Sequence, residues 1–234
     1  MKVLAIGCHP DDLEIGCAGT LAKYKKLGHE VTAVHVCNGN LGHAIIMPDE
    51  LRTMRIEEAR KAGSLAGIPV RTLDIGDLLP YGDNKEQRDK MTALIAEEQP
   101  DVIITHCPDD YMPDHNAVSQ LVFDASFAAS VPHYPATNGK PAKVVPIYYM
   151  DTVGGVGTVP TEYVDISEFI DLKLEMLNCH ESQIKWMLEH DNIDFTEFVR
   201  TCAAFRGLQC GVAYAEAFTK ANHWPKVVPG TLLP

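Results

Sequence analysis

The stretch KVLAIGCHPDD, residues 2–12, decides the fold because an apolar run of strand length ends directly in a histidine and two aspartates. Lys2–Gly7 has the composition of a buried β-strand. A second such run, DVIIT at residues 101–105, is followed by MPDH at residues 112–115. Imidazole and carboxylate groups just beyond two strand ends are what a catalytic zinc ion requires, with one position left open for water. The sequence therefore predicts one divalent-metal site split across the chain.

Strand and helix patterns alternate through the first 150 residues. Repeated strand–helix units predict an α/β fold with a Rossmann-like, mostly parallel sheet flanked by helices. If the strand order is the doubly wound 3-2-1-4-5, the first and fourth strands are neighbours, and ligands bind in the crevice beyond their carboxyl ends. We therefore expect His9 and His115 to meet at this crevice. The predicted strands are 2–7, 30–36, 70–74, 101–105 and 144–150, and the predicted helices are 17–27, 48–66, 85–98 and 115–129.

The pattern changes in the last third of the chain. We expect one domain, 1–234, with a Rossmann-like core at 1–150 and an extension at 151–234 that covers a sheet edge and borders the pocket. Pro146 indicates that the fifth strand is an edge or irregular strand. In the extension we predict a helix over 168–188, a helix opened by the capping-box spacing of Asp194 and Glu197 and running to about Arg206, and a last strand or packed loop at 215–218.

The bulk properties exclude several classes of protein. The 234 residues carry a formal charge of −12, which argues against nucleic-acid binding. No apolar run approaches the roughly 20 residues that span a bilayer, and the N-terminus is not a secretory signal. The seven cysteines include no C-x-x-C pair, so neither a disulfide framework nor a thiolate zinc site is indicated. A reducing cytoplasm is the simplest interpretation.

Asp11 and Asp12 are adjacent carboxylates at the mouth of the predicted sheet. They repel one another and lose hydration on burial, and a bound dication relieves both effects. Adjacent side chains diverge, so one can bind the metal while the other faces a substrate. Taken alone, Pro10-Asp11-Asp12 also fits a turn and helix cap. Two such clusters at neighbouring strand ends favour the metal site.

The chain resembles the LmbE-like, or PIG-L, family of zinc-dependent de-N-acetylases over most of its length. An Arg-x-Glu-Glu helix lies between the two clusters, and two further segments match the C-terminal part of the family. The matching residues are His9-Pro10-Asp11-Asp12 with Glu14, Gly16, Gly19 and Thr20; Arg55-Ile56-Glu57-Glu58; Thr105-His106, Pro108, Asp110 and Met112-Pro113-Asp114-His115 with Ala117 and Val118; His180, Ser182 and Gln183; and Arg206-Gly207 through Gly211 to Ala215-Glu216-Ala217-Phe218.

The resemblance implies roles for these residues. His9, Asp12 and His115 would hold the metal, and Asp11 would be the general base that takes a proton from the attacking water. Arg55 would reach the substrate at a sugar hydroxyl or acyl group. A surface ion pair between Arg55 and a neighbouring glutamate, Glu57 or Glu58, is the equal alternative.

The implied activity is hydrolysis of an acyl, usually acetyl, group from the amide nitrogen of an amino sugar such as N-acetylglucosamine or its conjugate. Another amide, such as a thiol conjugate or a longer N-acyl chain, stays open. Zinc is the expected cofactor, and iron, cobalt or manganese also suit two histidines and an aspartate. The expected partner is a small molecule, and family members of this size form trimers or hexamers.

Met112 departs from the family pattern, which has His-Pro-Asp-His where this chain has MPDH. The missing histidine stabilises the oxyanion or donates a proton, and the aspartate at the position of Asp114 orients it. Metal binding survives this change, but removing one oxyanion donor costs on the order of 3 kcal/mol. The alternative function is therefore a metal- and sugar-binding member with weak or altered amidase activity. The candidates for a substitute group are His106, Tyr111 and His180, and Asn40 is a second departure, since many relatives carry Glu there.

A nucleotide-dependent oxidoreductase is the alternative from another enzyme class. It would carry G-x-G-x-x-G in the turn after the first strand. This chain has His-Pro-Asp-Asp there, and the negative charge would repel a pyrophosphate. The sequence disfavours this alternative.

Overall fold

The computed structural model describes residues 1–234, and its seven strands form one mixed sheet. The strands are β1 (Lys2–Gly7), β2 (Glu30–Cys37), β3 (Val70–Ile75), β4 (Val102–Thr105), β5 (Ile147–Met150), β6 (Glu162–Asp165) and β7 (Ala215–Lys220).

The first five strands are parallel and lie in the predicted order, β3-β2-β1-β4-β5. β7 continues the sheet antiparallel to β5, and β6 pairs with β7 at the edge. Val3 of β1 lies opposite both Val31 of β2 and Val102 of β4. The winding direction reverses between β1 and β4, so the loops after these two strands separate and leave a crevice.

Eight helices and two single turns of 3₁₀ helix, at Pro135–Thr137 and Val153–Gly155, connect the strands. No helix combines the length and the apolar character that crossing a membrane requires. The helices are α1 (Asp12–Gly16), α2 (Ala18–Lys26), α3 (Pro48–Leu65), α4 (Lys85–Glu98), α5 (Pro113–Ala128), α6 (Ile170–Asn178), α7 (Glu181–Asp191) and α8 (Phe195–Cys210).

The apolar core consists of two layers, one on each face of the sheet. Successive strand residues point to opposite faces, so Val3 and Ala5 enter one layer while Leu4 and Ile6 enter the other. Helices α1, α2, α6 and α8 cover the first layer, and α4 and α5 cover the second. Because β1 is buried on both faces, nearly all of it is apolar, which is the signal seen in residues 2–7.

The single helix predicted over 168–188 is wrong, because α6 and α7 are separate helices that meet at His180. The backbone of His180 is not helical, with φ −83° and ψ 59°. Its imidazole is fully buried, and Nε2 lies 3.2 Å from Oε2 of Glu14. The next helix is capped from outside, because the Ser182 backbone N–H donates to Glu58 Oε1 at 2.8 Å. Contacts with Glu14 and Glu58, which are distant in sequence, therefore interrupt the helix although the sequence pattern is continuous.

The prediction that Pro146 marks an edge or irregular strand is also wrong. β5 lies between β4 and β7 inside the sheet. Pro146 precedes the first residue of β5, and its carbonyl accepts the Ile103 backbone N–H at 3.1 Å. The missing N–H of proline is therefore outside the ladder. The strand at this edge of the sheet is β6, which was not predicted from the sequence.

The predicted N-cap is present at the start of α8, although only the Asp194 half of the capping box forms. The Asp194 carboxylate accepts the Glu197 backbone N–H at 3.0 Å. The helix continues to Cys210, one turn beyond the predicted end. The last segment, left open between strand and loop, forms β7, so the extension continues the same sheet beyond β5.

Candidate active site

The two clusters predicted from the sequence meet at the crevice between β1 and β4. The ligand atoms of His9, Asp12 and His115 all lie within 4.8 Å of one another, and we call these three residues the histidine cluster. Asp12 lies between the rings, with Oδ1 at 3.3 Å from His115 Nε2 and Oδ2 at 3.4 Å from His9 Nδ1. The turn that follows β1 brings them together, since the His9 backbone N–H donates to Asp12 Oδ2 at 2.5 Å.

The histidine cluster fits a divalent cation. His115 Nε2 is buried and has no hydrogen-bond partner, while its Nδ1 lies 3.1 Å from Oδ2 of Asp110. That carboxylate holds the proton on Nδ1 and leaves the Nε2 lone pair free for a metal. Two imidazole nitrogens and one carboxylate oxygen are a donor set that zinc accepts. A small cavity lined in part by Gly16, Met150 and Asp151 opens beside the cluster.

The charges in the histidine cluster depend strongly on one another. Burial works to lower the pKa of His115, but the Asp12 carboxylate raises it, and the result is about 9. Burial works to raise the pKa of Asp12, and the imidazoles of His115 and His106 hold it well below its usual range. A cation bound here displaces the imidazole proton, so metal affinity rises with pH.

Asp11 has an unusual backbone conformation, with φ 112° and ψ −25°. A non-glycine residue at positive φ costs about 1–3 kcal/mol and persists only where its surroundings hold it. Arg55 does so here: Nη2 donates to the Pro10 carbonyl at 2.8 Å and to Asp11 Oδ2 at 3.0 Å. Burial raises the pKa of Asp11 to about 6, even though the Arg55 guanidinium lowers it.

The alternative of a surface ion pair for Arg55 is wrong. Arg55 is only 3% exposed. The two neighbouring glutamates have other partners: Glu57 forms an ion pair with Arg60, and Glu58 accepts the backbone N–H of Ser182. The guanidinium lies tightly against the loop after β2, where a Cβ on Gly39 (φ 76°) would come within 2.6 Å of Arg55 Cδ.

Asp114 contacts His9, one of the three candidate metal ligands. Its Oδ2 lies 3.1 Å from His9 Nε2 and accepts the Leu78 backbone N–H at 2.8 Å. Asp114 therefore orients His9, which leaves His9 Nδ1 facing Asp12. Met112 occupies the N-cap position of α5 and makes no side-chain cap.

The three candidates for the missing histidine have different surroundings. His106 stacks on His115 at 3.9 Å between ring centroids, and its Nε2 accepts the Cys8 backbone N–H at 2.8 Å. His180 lies in the interior against Glu14. Tyr111 is 71% exposed; partial burial of its phenol, and then the carboxylates of Asp110, Asp12 and Asp11, raise its pKa. Tyr111 is therefore the candidate that is accessible to a substrate.

Asp110, the partner of His115, had no role predicted from the sequence. The only signal was the position of Asp110 inside the second motif, five residues before the histidine. Its Oδ1 also accepts the Met112 backbone N–H at 2.9 Å, so it fixes the loop as well as the ring. Asn40, the second departure, supports the neighbouring loop, since its Oδ1 accepts the Asp77 backbone N–H at 3.0 Å.

Comparisons with known proteins show which family and which solved structures this chain resembles. The family model described as PIG-L, GlcNAc-PI de-N-acetylase, matches residues 4–126. A diacetylchitobiose deacetylase of Thermococcus kodakarensis is 29% identical over 99% of this chain and 85% of its own length. The crystal structure of N,N'-diacetylchitobiose deacetylase from Pyrococcus horikoshii, complexed with its inhibitor MPG, covers 94% of this chain and 83% of its own, with a TM-score of 0.81 and 29% identity. The 4-carboxy-2-hydroxymuconate hydratase GalB from Pseudomonas putida KT2440 shares the fold, with a TM-score of 0.83 and 21% identity over 98% of this chain and 99% of its own.

Proposed function

The chain belongs to the PIG-L family, and on that premise we propose that it is a zinc-dependent hydrolase that removes the acetyl group from a small N-acetylglucosamine-type sugar or conjugate. The observation that carries the proposal is the convergence of the histidine cluster with the buried Asp11–Arg55 pair at one crevice. The family and its deacetylases favour this activity over the weakly active, sugar-binding alternative.

The residues of the crevice have different roles in hydrolysis. When bound, zinc would lower the pKa of a water molecule and polarise the amide carbonyl. His9, Asp12 and His115 would hold the ion, and the small cavity lies beside Asp12 and His115. Asp11 acts as general base and accepts the proton at Oδ1, because Arg55 occupies Oδ2. The same oxygen then returns the proton to the leaving amine.

Arg55 and Asp114 support this reaction from beside the reacting groups. Arg55 lowers the pKa of Asp11, and the family resemblance implies that it also contacts a sugar hydroxyl or acyl group. Asp114 holds the ring of His9 through Nε2. Tyr111 takes the place of the family's missing histidine and donates a hydrogen bond from its phenol to the oxyanion.

The direct test of the function is release of free amine from N,N'-diacetylchitobiose and from N-acetylglucosamine conjugates. We expect turnover by the zinc-loaded protein, loss of turnover after chelation and recovery on adding zinc back. Absence of amine release from every N-acetyl amino sugar in the screen would contradict the proposal. Addition of water across a carbon–carbon double bond, assayed in parallel, separates it from a hydratase on the same fold.

The Met112→His variant tests the alternative of an impaired enzyme. One oxyanion donor is worth about 10²–10³ in turnover. We expect a gain of less than about tenfold, because the natural protein already has a complete site with Tyr111. A gain of several hundredfold on an amino-sugar substrate would favour the alternative function.

The proposal also covers the setting of the enzyme. All seven cysteines are free, which fits a reducing compartment, and we place the protein in the cytoplasm. We propose a homo-oligomer, trimer or hexamer, and light scattering of the purified protein measures this directly.

A further inference from the structure

Two thiols lie beside the imidazole of His9. They are on the side of Nε2, the ring nitrogen that does not face Asp12. Cys8 follows β1 and Cys37 ends β2, and the parallel pairing joins them through a hydrogen bond from the Cys37 N–H to the Cys8 carbonyl at 2.8 Å. Their Sγ atoms are 3.5 Å apart, and both side chains are fully buried. The sequence contains no C-x-x-C pair, but the pairing of two strands produces the same proximity from residues 29 positions apart.

A carboxylate and an imidazole complete this group. Four residues each place one ligand atom within 4.8 Å of the others, and we call them the thiol cluster: Cys8, Cys37, His9 and Asp114.

Three distances in the thiol cluster lie within about 0.3 Å of those between the ligands of a tetrahedral zinc ion. Ordinary zinc–ligand bond lengths give separations of about 3.8 Å between two sulfurs, about 3.6 Å between sulfur and nitrogen, and about 3.4 Å between nitrogen and oxygen. The observed separations are 3.5 Å for Cys8 Sγ to Cys37 Sγ, 3.7 Å for Cys8 Sγ to His9 Nε2, and 3.1 Å for His9 Nε2 to Asp114 Oδ2. The three other separations are each at most 4.8 Å.

We propose that the thiol cluster is a second metal site, which takes the thiophilic divalent cation Cd²⁺. Two sulfurs select soft cations over Mg²⁺ or Ca²⁺. Each thiol releases its proton to solvent as its sulfur binds the ion. The ion thus replaces the two thiol protons and the proton on His9 Nε2, which is also released to solvent. His9 is its most exposed member, at 14% of the side chain, so the ion enters from the active-site crevice.

The two metal sites compete because they share His9. The ring presents Nδ1 to Asp12 and Nε2 to the thiol cluster. A neutral imidazole has one lone pair, so it binds one ion at a time. Occupation of the thiol cluster therefore withdraws a ligand from the histidine cluster. This consequence for activity rests on the proposed function, whereas the existence of the second site does not.

The experiment is a titration of Cd²⁺ into metal-free protein, followed by the ultraviolet thiolate-to-cadmium charge-transfer band. The background carries Cys202→Ser and Cys210→Ser, which remove the more exposed thiols. We expect a band that saturates with one ion in this background. The band should lose at least half its amplitude in Cys8→Ala and in Cys37→Ala and stay unchanged in the matched control Cys107→Ala, another buried cysteine.

The result that overturns the second site is a band that is absent, or one that survives in the Cys8→Ala/Cys37→Ala double variant. X-ray absorption on cadmium-loaded wild-type protein avoids reliance on any variant and must show sulfur in the coordination shell. A His115→Ala variant retains the band, because it leaves the thiol cluster intact.

Amine release then tests the competition between the sites. Excess Cd²⁺ should inhibit the zinc-loaded wild-type enzyme, and Cys8→Ala/Cys37→Ala should resist inhibition by at least tenfold in cadmium concentration. Equal inhibition of both proteins would overturn the competition. A protein that shows the cadmium band but hydrolyses no amide would sink the proposed function and leave the second site standing.

Discussion

Arg55 Nη2 lies 3.0 Å from Asp11 Oδ2, and both side chains are buried. Burial disfavours the ionised carboxylate, and the guanidinium favours it, which leaves the pKa of Asp11 at about 6. A bound dication nearby lowers this pKa further. Asp11 is therefore ionised at neutral pH in a position where a general base is required.

Removing the charge of Arg55 should move the acid limb of the activity profile to higher pH. Asp11 must be deprotonated to accept a proton, so activity rises as pH rises through its pKa. Arg55→Met removes the cation that lowers this pKa, and the midpoint of the acid limb of kcat/KM should shift upward. Arg52→Met is the matched control, because Arg52 is on the same helix and pairs with Asp74 at the surface. An unshifted midpoint in Arg55→Met would separate Arg55 from the titration of Asp11.

Asp11→Asn should keep the metal and lose nearly all turnover. The amide has a similar shape and no basic oxygen to accept the proton from water. General-base catalysis contributes about 10²–10⁴-fold, and we expect a loss in this range in kcat with bound zinc unchanged. The measurement is amine release alongside metal content. Full activity in the variant would remove Asp11 from the mechanism.

Asp110→Asn should weaken metal binding without removing a ligand. The Asp110 carboxylate fixes the tautomer of His115 and raises the basicity of its Nε2. Loss of such a partner costs about 10–100-fold in metal affinity. Competition against a chromophoric chelator measures the change, and the neighbouring exposed Asp109→Asn is the control. Identical affinities in the two variants would show that Asp110 serves the loop rather than the ring.

Lys226 gives a prediction on stability, away from the active site. It is 2% exposed, and its Nζ donates to Ser126 Oγ at 2.7 Å. Burial lowers its pKa to about 8, against an ordinary value of 10.5. Between these two values the unfolded chain keeps the proton that the folded chain has released, so the free energy of unfolding rises with pH. Lys226→Met should be more stable than the wild type near neutral pH.

Chemical denaturation at about pH 7 and about pH 9.5 tests this prediction for Lys226. The gap in stability between wild type and Lys226→Met should narrow at the higher pH, because the wild-type lysine is then largely neutral in the folded state. Lys140→Met, at an exposed position, should show no such change. A gap that stays constant with pH would contradict the assignment of the shift to Lys226.

The sequence was sufficient for the parallel part of the sheet and for the meeting of the two motifs. β1 is apolar on both faces because it is buried on both, and its pattern is readable for that reason. The doubly wound order then requires that the residues after β1 and β4 share a crevice. The structure brings His9, Asp12 and His115 together there, and their role as metal ligands stays a prediction.

Features that depend on distant partners could not be predicted. The break at His180 exists because its ring is buried against Glu14, which no local helical pattern reports. Arg55 fitted a surface ion pair equally well, since its burial depends on the loop after β2 and on Pro10. The proximity of Cys8 and Cys37 requires knowledge of strand register, and periodicity does not supply it.

The position of zinc in crystals of the protein loaded with one equivalent tests the central claim most directly. Anomalous scattering at the zinc edge should show one strong peak bound by His9, Asp12 and His115, at about 2.0–2.2 Å from each ligand atom and with an open position towards the cavity. A peak held only by other residues, or no peak between the two imidazoles, would contradict the account.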